Sequence, residues 1–226
     1  RDTYVILAVG SAALLFVAAM AAQRPPSMTG TTESPPLKTL IGSSTPFWTL
    51  YASMAILSFP LFLPFVFLGD YLELVGSSRS AGLLLGLIGL ASVTGRLGLG
   101  ALASRFPTIR LYQGSILTCA LSYFLWLVAD GNYAMMMAFA IIMGVSYGGF
   151  IALAPAVTAE IFGPLGLGGV LGALYTAAGV GGLIGPPTMG LLIDQFGYTP
   201  SILTAIAIGL LSFVLLLPLT RQTSPG

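Results

Sequence analysis

The chain has 226 residues, of which 56% are hydrophobic and only 7% are charged, with a formal net charge of +1. A soluble domain has about a quarter of its residues charged, so this composition indicates an integral membrane protein. The small net charge provides no basic surface for nucleic acid. The sequence has no histidine and one cysteine, Cys119, so it offers neither the commonest metal ligand nor an intrachain disulfide. We expect no metal, no cofactor and no enzymatic activity.

Seven apolar segments are long enough to cross a bilayer as helices, which takes about 20 residues. A polar, proline-rich stretch after the first segment is typical of a linker. The segments are 4–22, 47–68, 81–103, 111–129, 133–157, 171–193 and 200–219. The sequence therefore predicts an all-α integral membrane fold with seven transmembrane helices. Its predicted parts are a first helix (1–22), a linker (23–45), a six-helix bundle (46–220) and a tail (221–226).

The positive charges predict which side of the membrane each loop faces. The linker side carries five of them: Arg24, Lys38, Arg105, Arg110 and Arg221. The opposite side carries only Arg1 and Arg79. Because cytoplasmic loops are rich in lysine and arginine, we expect a cytoplasmic C-terminus and an outside N-terminus in a multi-pass protein of the plasma or cell membrane. One helix, a linker and six helices match helices 6 to 12 of a twelve-helix transporter, so the expected partner is a missing amino-terminal half.

One arginine, Arg96, lies inside the third apolar segment. It is about 14 residues, or roughly 20 Å of helix, beyond the polar residues at 77–80. A charge at such a depth costs about 2.5–3.5 kcal/mol on insertion scales and therefore marks a site for an anion. The guanidinium stays charged and matches a carboxylate with two parallel hydrogen bonds. The alternatives are a partner in the missing half, or a side chain that reaches back to the cytoplasmic interface.

Glycine and proline predict how the helices pack and bend. Pairs of glycines one turn apart, which allow close approach of a neighbouring helix, occur at Gly82/Gly86, Gly144/Gly148, Gly168/Gly172 and Gly181/Gly185. Prolines inside the spans free backbone carbonyls and kink the helices, which suits gating; these are Pro60, Pro64 and Pro155. The topology predicts two three-helix units, 47–129 and 133–219, related as an inverted repeat.

Two stretches carry a resemblance to known transporters. The loop GALASRFPTIR (100–110) resembles the G-x-L-A-D-R-x-G-R-R motif of the major facilitator superfamily, matching at Gly100, Leu102, Ala103 and Arg105, with Ser104 in place of the acid. The stretches GVSYGGFIALAP (144–155) and GVGGLIGPPTMGLLIDQFG (179–197) resemble the monocarboxylate transporters and the related oxalate/formate antiporters. The resemblance covers 47–219.

The resemblance implies a site for a small organic anion at Arg96, because the carboxylate-transporting members carry an arginine in the eighth helix. Proton-coupled members have an aspartate one turn earlier, where this chain has Ser92. Ser92 shares the face of Arg96 and could contact it or the substrate, but it cannot carry a proton. Coupling would then come from the missing half, or the protein would exchange anions or only facilitate their passage. The antiporters also have a lysine in the eleventh helix, which is absent from 171–193, so a monoanion is expected.

Further site residues follow from the helices that line the cavity in this family. Aromatic side chains on those helices could orient a small acid or could simply pack between helices: Tyr51, Phe59, Tyr147, Phe150 and Tyr175. The expected gating positions are Pro60 and Pro155 together with the family motif residues Gly185, Pro186 and Pro187. At the cytoplasmic end, Glu160 could pair with Arg105 or Arg110 as a latch between two conformations. Alternatively, these charges are solvated and only set the topology.

The sequence thus predicts a secondary transporter that moves small organic anions, monocarboxylates first, by alternating access, as symport or antiport. Two other functions stay open. A seven-span receptor or sensor would bind its ligand with this chain alone and show no flux. A major facilitator transporter could instead carry another cargo, such as a drug or a sugar, although a sugar site would be expected to contain more Asn, Gln and Trp.

Overall fold

The computed structural model describes residues 2–21, 37–42, 44–76 and 80–219. The chain divides into two units, 1–33 and 34–226. The first unit contains the 20-residue apolar helix α1 (Asp2–Ala21), which coincides with the first predicted span. The linker from 22 to 36 and the tail from 220 lie outside the described residues, together with Arg1, Arg24, Arg79 and Arg221.

The second unit contains every other described helix, and the described residues form no strand. The helices are α2 (Leu37–Ile41), α3 (Thr45–Leu61), α4 (Leu63–Leu74), α5 (Ala81–Leu102), α6 (Thr108–Ala129), α7 (Tyr133–Phe162), α8 (Leu167–Phe196) and α9 (Tyr198–Leu216). Six of the described stretches are long and apolar enough to cross a membrane, namely α3 with α4, and α5 to α9 singly. The all-α membrane fold is confirmed, whereas the count of seven spans stays a prediction.

Side chains and glycines at the helix ends explain where the spans begin and end. Ser44 caps α3, Ser80 caps α5 and Asn132 caps α7, each by accepting a hydrogen bond from a backbone N–H of the first turn. Gly163 and Gly197, both with positive φ, follow α7 and α8. These two helices have 30 residues each. α7 extends beyond its predicted span at its C-terminal end, and α8 extends beyond its predicted span at both ends. At 1.5 Å per residue they measure about 45 Å, which covers the headgroup regions as well as the hydrocarbon core.

The first span of the bundle is broken at Phe62, between α3 and α4. Pro64 has no backbone N–H, so the carbonyl of Pro60, four residues earlier, loses its helical partner. The hydroxyl of Tyr123 in α6 donates a hydrogen bond of 2.5 Å to that carbonyl inside the core. The break is therefore stabilised by a side chain from another helix. By contrast, α7 runs through Pro155, and α8 runs through Pro186 and Pro187.

Removal of the Tyr123 hydroxyl should destabilise the bundle. Tyr123→Phe leaves the buried Pro60 carbonyl with only the backbone N–H of Phe62 as a donor, so the loss of one hydrogen bond should cost about 0.5–1.5 kcal/mol of unfolding free energy. Tyr112→Phe is the matched control, because Tyr112 is also buried in α6 but its hydroxyl has no hydrogen-bond partner among the described residues. Denaturant unfolding of the purified variants measures both values, and equal stabilities for the two variants would contradict this interpretation of the break.

Two close helix interfaces are built on the predicted glycine pairs. At Gly144 and Gly148 of α7 an added Cβ would overlap the backbone of α5 at Ile88 and Ser92. At Gly181 and Gly185 of α8 it would lie 2.5 Å from backbone oxygens of α3. The other two predicted pairs, Gly82/Gly86 and Gly168/Gly172, face no other helix of the described chain. The prediction of close packing is thus right for two pairs and wrong for two within this chain.

The third helix of each predicted unit is held by polar contacts as well as by the close approach of Gly209 in α9 to Ala120 in α6. The hydroxyls of Ser53 in α3 and Ser212 in α9 lie 2.8 Å apart, and each is also within hydrogen-bonding distance of the other residue's carbonyl, at 3.1 and 2.9 Å. Their two protons can serve two of these three contacts at a time. Gln113 of α6 donates to the carbonyl of Leu216 in α9 at 2.7 Å. All these groups are buried, where unpaired polar atoms are costly, so the bonds hold α3, α6 and α9 in register.

Candidate functional site

Arg96 lies outside the strip of α5 that packs on α7. That strip consists of the buried residues Leu84, Ile88, Ala91, Ser92 and Gly95. Arg96 follows Gly95 and is therefore rotated about 100° from it around the helix, and its side chain is exposed. The described residues give its guanidinium no hydrogen bond and no ion pair. The charge is consequently available to a ligand or to a second chain.

The position of Arg96 along the bundle follows from the contacts of α5 with α7. The two helices run in the same direction, because Gly144 faces Ile88 and Gly148 faces Ser92. Arg96 is 15 residues from the start of α5 and 6 residues from its end, or about 22 Å and 9 Å along the axis. It is therefore inside the span but closer to the end that leads into the loop 103–107.

Ser92 is held within the helix interface. Its side chain is only 5% exposed, and its hydroxyl donates to the carbonyl of Gly89 at 2.8 Å. Its backbone is the surface against which Gly148 packs. The structure thus places Ser92 one turn from Arg96, as the spacing predicts, but its hydroxyl is already satisfied by its own helix.

Four of the five predicted aromatic residues keep part of their surface open. Tyr51 of α3 hydrogen-bonds through its hydroxyl to the Thr176 hydroxyl of α8 at 3.3 Å. Tyr147 of α7 lies with its ring centroid 6.0 Å from that of Phe65 in α4. Tyr175 is exposed, and Phe59 is half-buried. Sequence reasoning missed Thr176 and Phe65, although Thr176 directly follows Tyr175 and Phe65 lies six residues after Phe59.

Phe150 is placed differently from the other aromatic candidates. It is 3% exposed and stacks on Tyr112 of α6, with ring centroids 5.5 Å apart and planes at 24°. It therefore packs in the core between α6 and α7. A side chain in this position has little surface left for a substrate.

At the cytoplasmic end of the predicted orientation, Glu160 contacts Thr108 rather than an arginine. The hydroxyl of Thr108, the first residue of α6, donates a short hydrogen bond to the Glu160 carboxylate at the end of α7. Arg105 and Arg110 are exposed, and within the described ranges neither forms an ion pair with Glu160. The structure therefore joins the start of α6 to the end of α7 through a hydroxyl.

The gating candidates in α8 lie against α3. Gly185 packs on the backbone of Phe59, with an added Cβ 2.5 Å from its carbonyl oxygen, so a side chain there would separate the helices. Pro186 and Pro187 follow directly, and Pro187 is exposed. The two prolines lack the N–H groups that would bond the carbonyls of residues 182 and 183. In the next turn, the Thr188 hydroxyl donates to the carbonyls of Ile184 and Gly185.

Comparison with known proteins identifies the family. The model of the Major Facilitator Superfamily matches residues 73–226, more than half of the chain. The chain belongs to the Major Facilitator Superfamily. Members of this superfamily are transporters rather than enzymes, and the six apolar spans agree with a multi-pass membrane protein of this kind.

The similar proteins include vertebrate monocarboxylate transporters and fungal transporters. Monocarboxylate transporter 12 of Xenopus laevis is 28% identical over 70% of this chain and 35% of its own length. MFS transporter asaE of Aspergillus flavus is 30% identical over 63% of this chain and 32% of its own length. Aspyridones efflux protein apdF of Emericella nidulans is 32% identical over 61% of this chain and 28% of its own length. The chain spans about a third of the length of these relatives. The resemblance to the monocarboxylate branch is confirmed.

Proposed function

We propose that this chain forms the carboxyl-terminal half of a secondary transporter that moves small organic anions, monocarboxylates first, by alternating access. The observation that carries the proposal is Arg96, an exposed arginine without a partner among the described residues, inside a membrane span of a superfamily member. A cation inside a membrane span is costly without a counter-charge, so a passing carboxylate is its natural ligand. The similarity to monocarboxylate transporter 12 supports the same substrate class.

The arginine supplies the charge, and aromatic side chains define the rest of the site. The guanidinium presents paired N–H donors that match the two oxygens of a carboxylate, and such charge-assisted pairs are stronger than neutral hydrogen bonds. Tyr147 and Tyr51 are partly exposed and offer an apolar body with one hydroxyl. Phe59 of α3 is half-buried and Tyr175 of α8 is exposed, so both can also contact a substrate. The cavity would be closed by the amino-terminal half, in helices 1 to 6 of the complete transporter.

Among the described residues, no acid lies in the same span as Arg96. The acids of the described bundle lie toward the helix ends, and the position one turn before Arg96 is Ser92, whose hydroxyl stays bonded within α5. Coupling to protons would therefore depend on the amino-terminal half. Exchange of one anion for another is the simpler mode of transport, because it requires no proton carrier in this half.

The packing supports an inverted repeat of α3–α6 and α7–α9. The second helix of each unit packs on the first helix of the other, α5 on α7 and α8 on α3. The third helix of each unit also packs on the first helix of the other, and the two third helices contact each other. This exchange of partners is what a two-fold axis in the membrane plane would produce, and rocking of such units around a midplane site gives alternating access.

A second cargo is favoured by the fungal relatives. One of them is named as an efflux protein for aspyridones, so export of a larger organic compound is the competing function. Both functions predict flux, whereas the receptor alternative predicts ligand binding without flux.

Transport by the complete protein in proteoliposomes distinguishes these functions. We expect labelled lactate, pyruvate or formate to be taken up faster than into empty vesicles, and unlabelled monocarboxylate inside the vesicles to accelerate the uptake. A neutral hexose serves as the control cargo and should not enter. Export of an amphipathic fungal metabolite without any uptake of carboxylate would favour the efflux function instead.

We infer that Glu160 contributes to a latch at the cytoplasmic end. Glu160→Gln weakens the charge-assisted bond from Thr108 and removes the charge available to Arg105 or Arg110. Because switching equilibria respond to about 1–3 kcal/mol, the fraction of inward-open protein should change several-fold. Accessibility of reporter cysteines on the two faces measures that fraction. Thr108→Val distinguishes the hydroxyl from the arginines as the partner of Glu160, because it removes the hydroxyl and leaves the charges. Unchanged cysteine labelling in both variants would exclude the latch.

A further inference from the structure

A groove lies between α5, α6 and α7 on the flank of α7 away from the proposed binding face. It has a volume of about 290 Å³ and is lined by Leu99 of α5, Leu111 and Gly114 of α6, and Val145 of α7. Val145 and Tyr147 are two residues apart and so point about 160° apart around α7. Since Tyr147 contacts Phe65 of α4, Val145 and the groove face the other way, and we expect this flank to meet the bilayer.

The groove is amphipathic along its length. At one end stands Arg110, the third residue of α6, exposed and without a partner among the described residues. The groove then continues along Gly114 to Thr118, eight residues from Arg110 or about 12 Å along the helix axis. One leaflet of hydrocarbon is about 15 Å deep, so the groove covers most of it. A cation at the predicted membrane surface thus leads into a mainly apolar channel, with the hydroxyls of Ser115, Thr118 and Ser146 in its lining, that has about the depth of one leaflet.

Glycine creates the space in this groove. An added Cβ at Gly114 would have no atom within 4 Å, so the helix could carry a side chain there without a clash. The floor, by contrast, is closely packed, since Gly149 touches the Leu99 side chain and the Ser115 hydroxyl. The open volume is therefore confined to the membrane side of α6 and can accept a ligand without rearrangement of the core.

We propose that this groove binds one anionic diacyl phospholipid, with its phosphate on Arg110 and an acyl chain along Gly114 toward Thr118. Charge complementarity selects the anionic headgroup, because Arg110 is the charged residue of the groove and has no counter-charge there. Anionic lipids are concentrated in the cytoplasmic leaflet, which is the side predicted for the loop before α6. The site lies outside the substrate path, so it depends on the membrane topology and not on the identity of the cargo.

Native mass spectrometry of the complete protein in detergent tests the site directly. The protein is titrated with dioleoylphosphatidylglycerol, with dioleoylphosphatidylcholine, and with glycerol 3-phosphate as the headgroup alone. We expect one tightly bound phosphatidylglycerol, weaker binding of phosphatidylcholine, and no displacement by glycerol 3-phosphate. Equal binding of the two lipids would overturn the proposal, and displacement by glycerol 3-phosphate would show an ordinary phosphate site.

Matched variants distinguish the contribution of the Arg110 charge to lipid binding from that of the groove. Arg110→Gln should weaken phosphatidylglycerol binding about fivefold, the factor expected for one cation at an anionic surface, and Arg110→Lys should retain it. Gly114→Leu should fill the channel and remove the bound lipid. Arg105→Gln and Gly100→Leu are the controls, because both positions are exposed and neither lines the groove. Binding that is unchanged in Gly114→Leu, or lowered equally by Arg105→Gln, would overturn the proposal.

Discussion

Replacement of Arg96 by alanine should reduce monocarboxylate uptake by the complete protein at least 30-fold. The reason is that a charge-assisted pair in a water-poor site contributes about 2 kcal/mol or more when one partner is removed. Arg96→Lys retains the charge but loses the planar pair of donors, so we expect an intermediate loss of about tenfold. The measurement is the initial rate of labelled lactate uptake in proteoliposomes for the wild type and the two variants.

The matched control for this prediction is an exposed arginine of the same chain that lies outside the spans. Arg105→Gln alters the charge of the loop after α5, but the residue is nine positions beyond Arg96. It should leave the affinity for substrate unchanged, even where it alters the conformational balance. Because Arg96 is exposed, its replacement should not lower the stability of the bundle, and equal melting temperatures would show that the loss is one of binding.

The second large effect is expected at Gly148, where α7 touches the backbone of α5. A methyl group on Gly148 would overlap the carbonyl of Ser92, and neither backbone can move without separating the helices. Gly148→Ala should therefore lower the free energy of unfolding by about 3 kcal/mol, at the upper end of the range for overpacked cores. Thermal or denaturant unfolding of the purified protein measures this loss.

Gly172→Ala is the control, and its effect on the free energy of unfolding should be opposite to that of Gly148→Ala. Gly172 lies inside α8 with no atom within 4 Å of the position of a Cβ. Alanine is a better helix former than glycine by about 0.8–1.0 kcal/mol, so this substitution should be neutral or stabilising. If both variants were equally stable, the close approach of α5 and α7 would not be a determinant of the fold.

The sequence predicts the helices well because their signals are local. Apolar length defines the six spans of the bundle, and Ser44, Ser80 and Asn132 mark helix starts by a chemistry that is visible in the sequence. The close contacts of glycine depend on the neighbouring helix, which the sequence does not specify. Gly144/Gly148 and Gly168/Gly172 have the same spacing, yet only the first pair meets another helix of this chain.

The candidate site is predicted less completely, for a related reason. α7 is apolar around its whole circumference, so no polar face indicates which residues point to the core. Phe150 therefore could not be distinguished from Tyr147 before the structure placed it against Tyr112. Arg96 is the opposite case, because a single charge in an apolar helix is a strong signal without knowledge of the neighbours. Thr108 as the partner of Glu160 was also missed, since reasoning from charge alone favours arginine.

The most direct test of the account is a binding cycle that pairs Arg96 with the substrate carboxylate. Calorimetry on the complete protein would compare lactate with lactamide, its uncharged amide, for the wild type and for Arg96→Ala. The account predicts that the wild type prefers lactate at least 30-fold and that the preference falls to about threefold or less in the variant. A variant that keeps the wild-type preference would show that the carboxylate is bound elsewhere and would contradict the account.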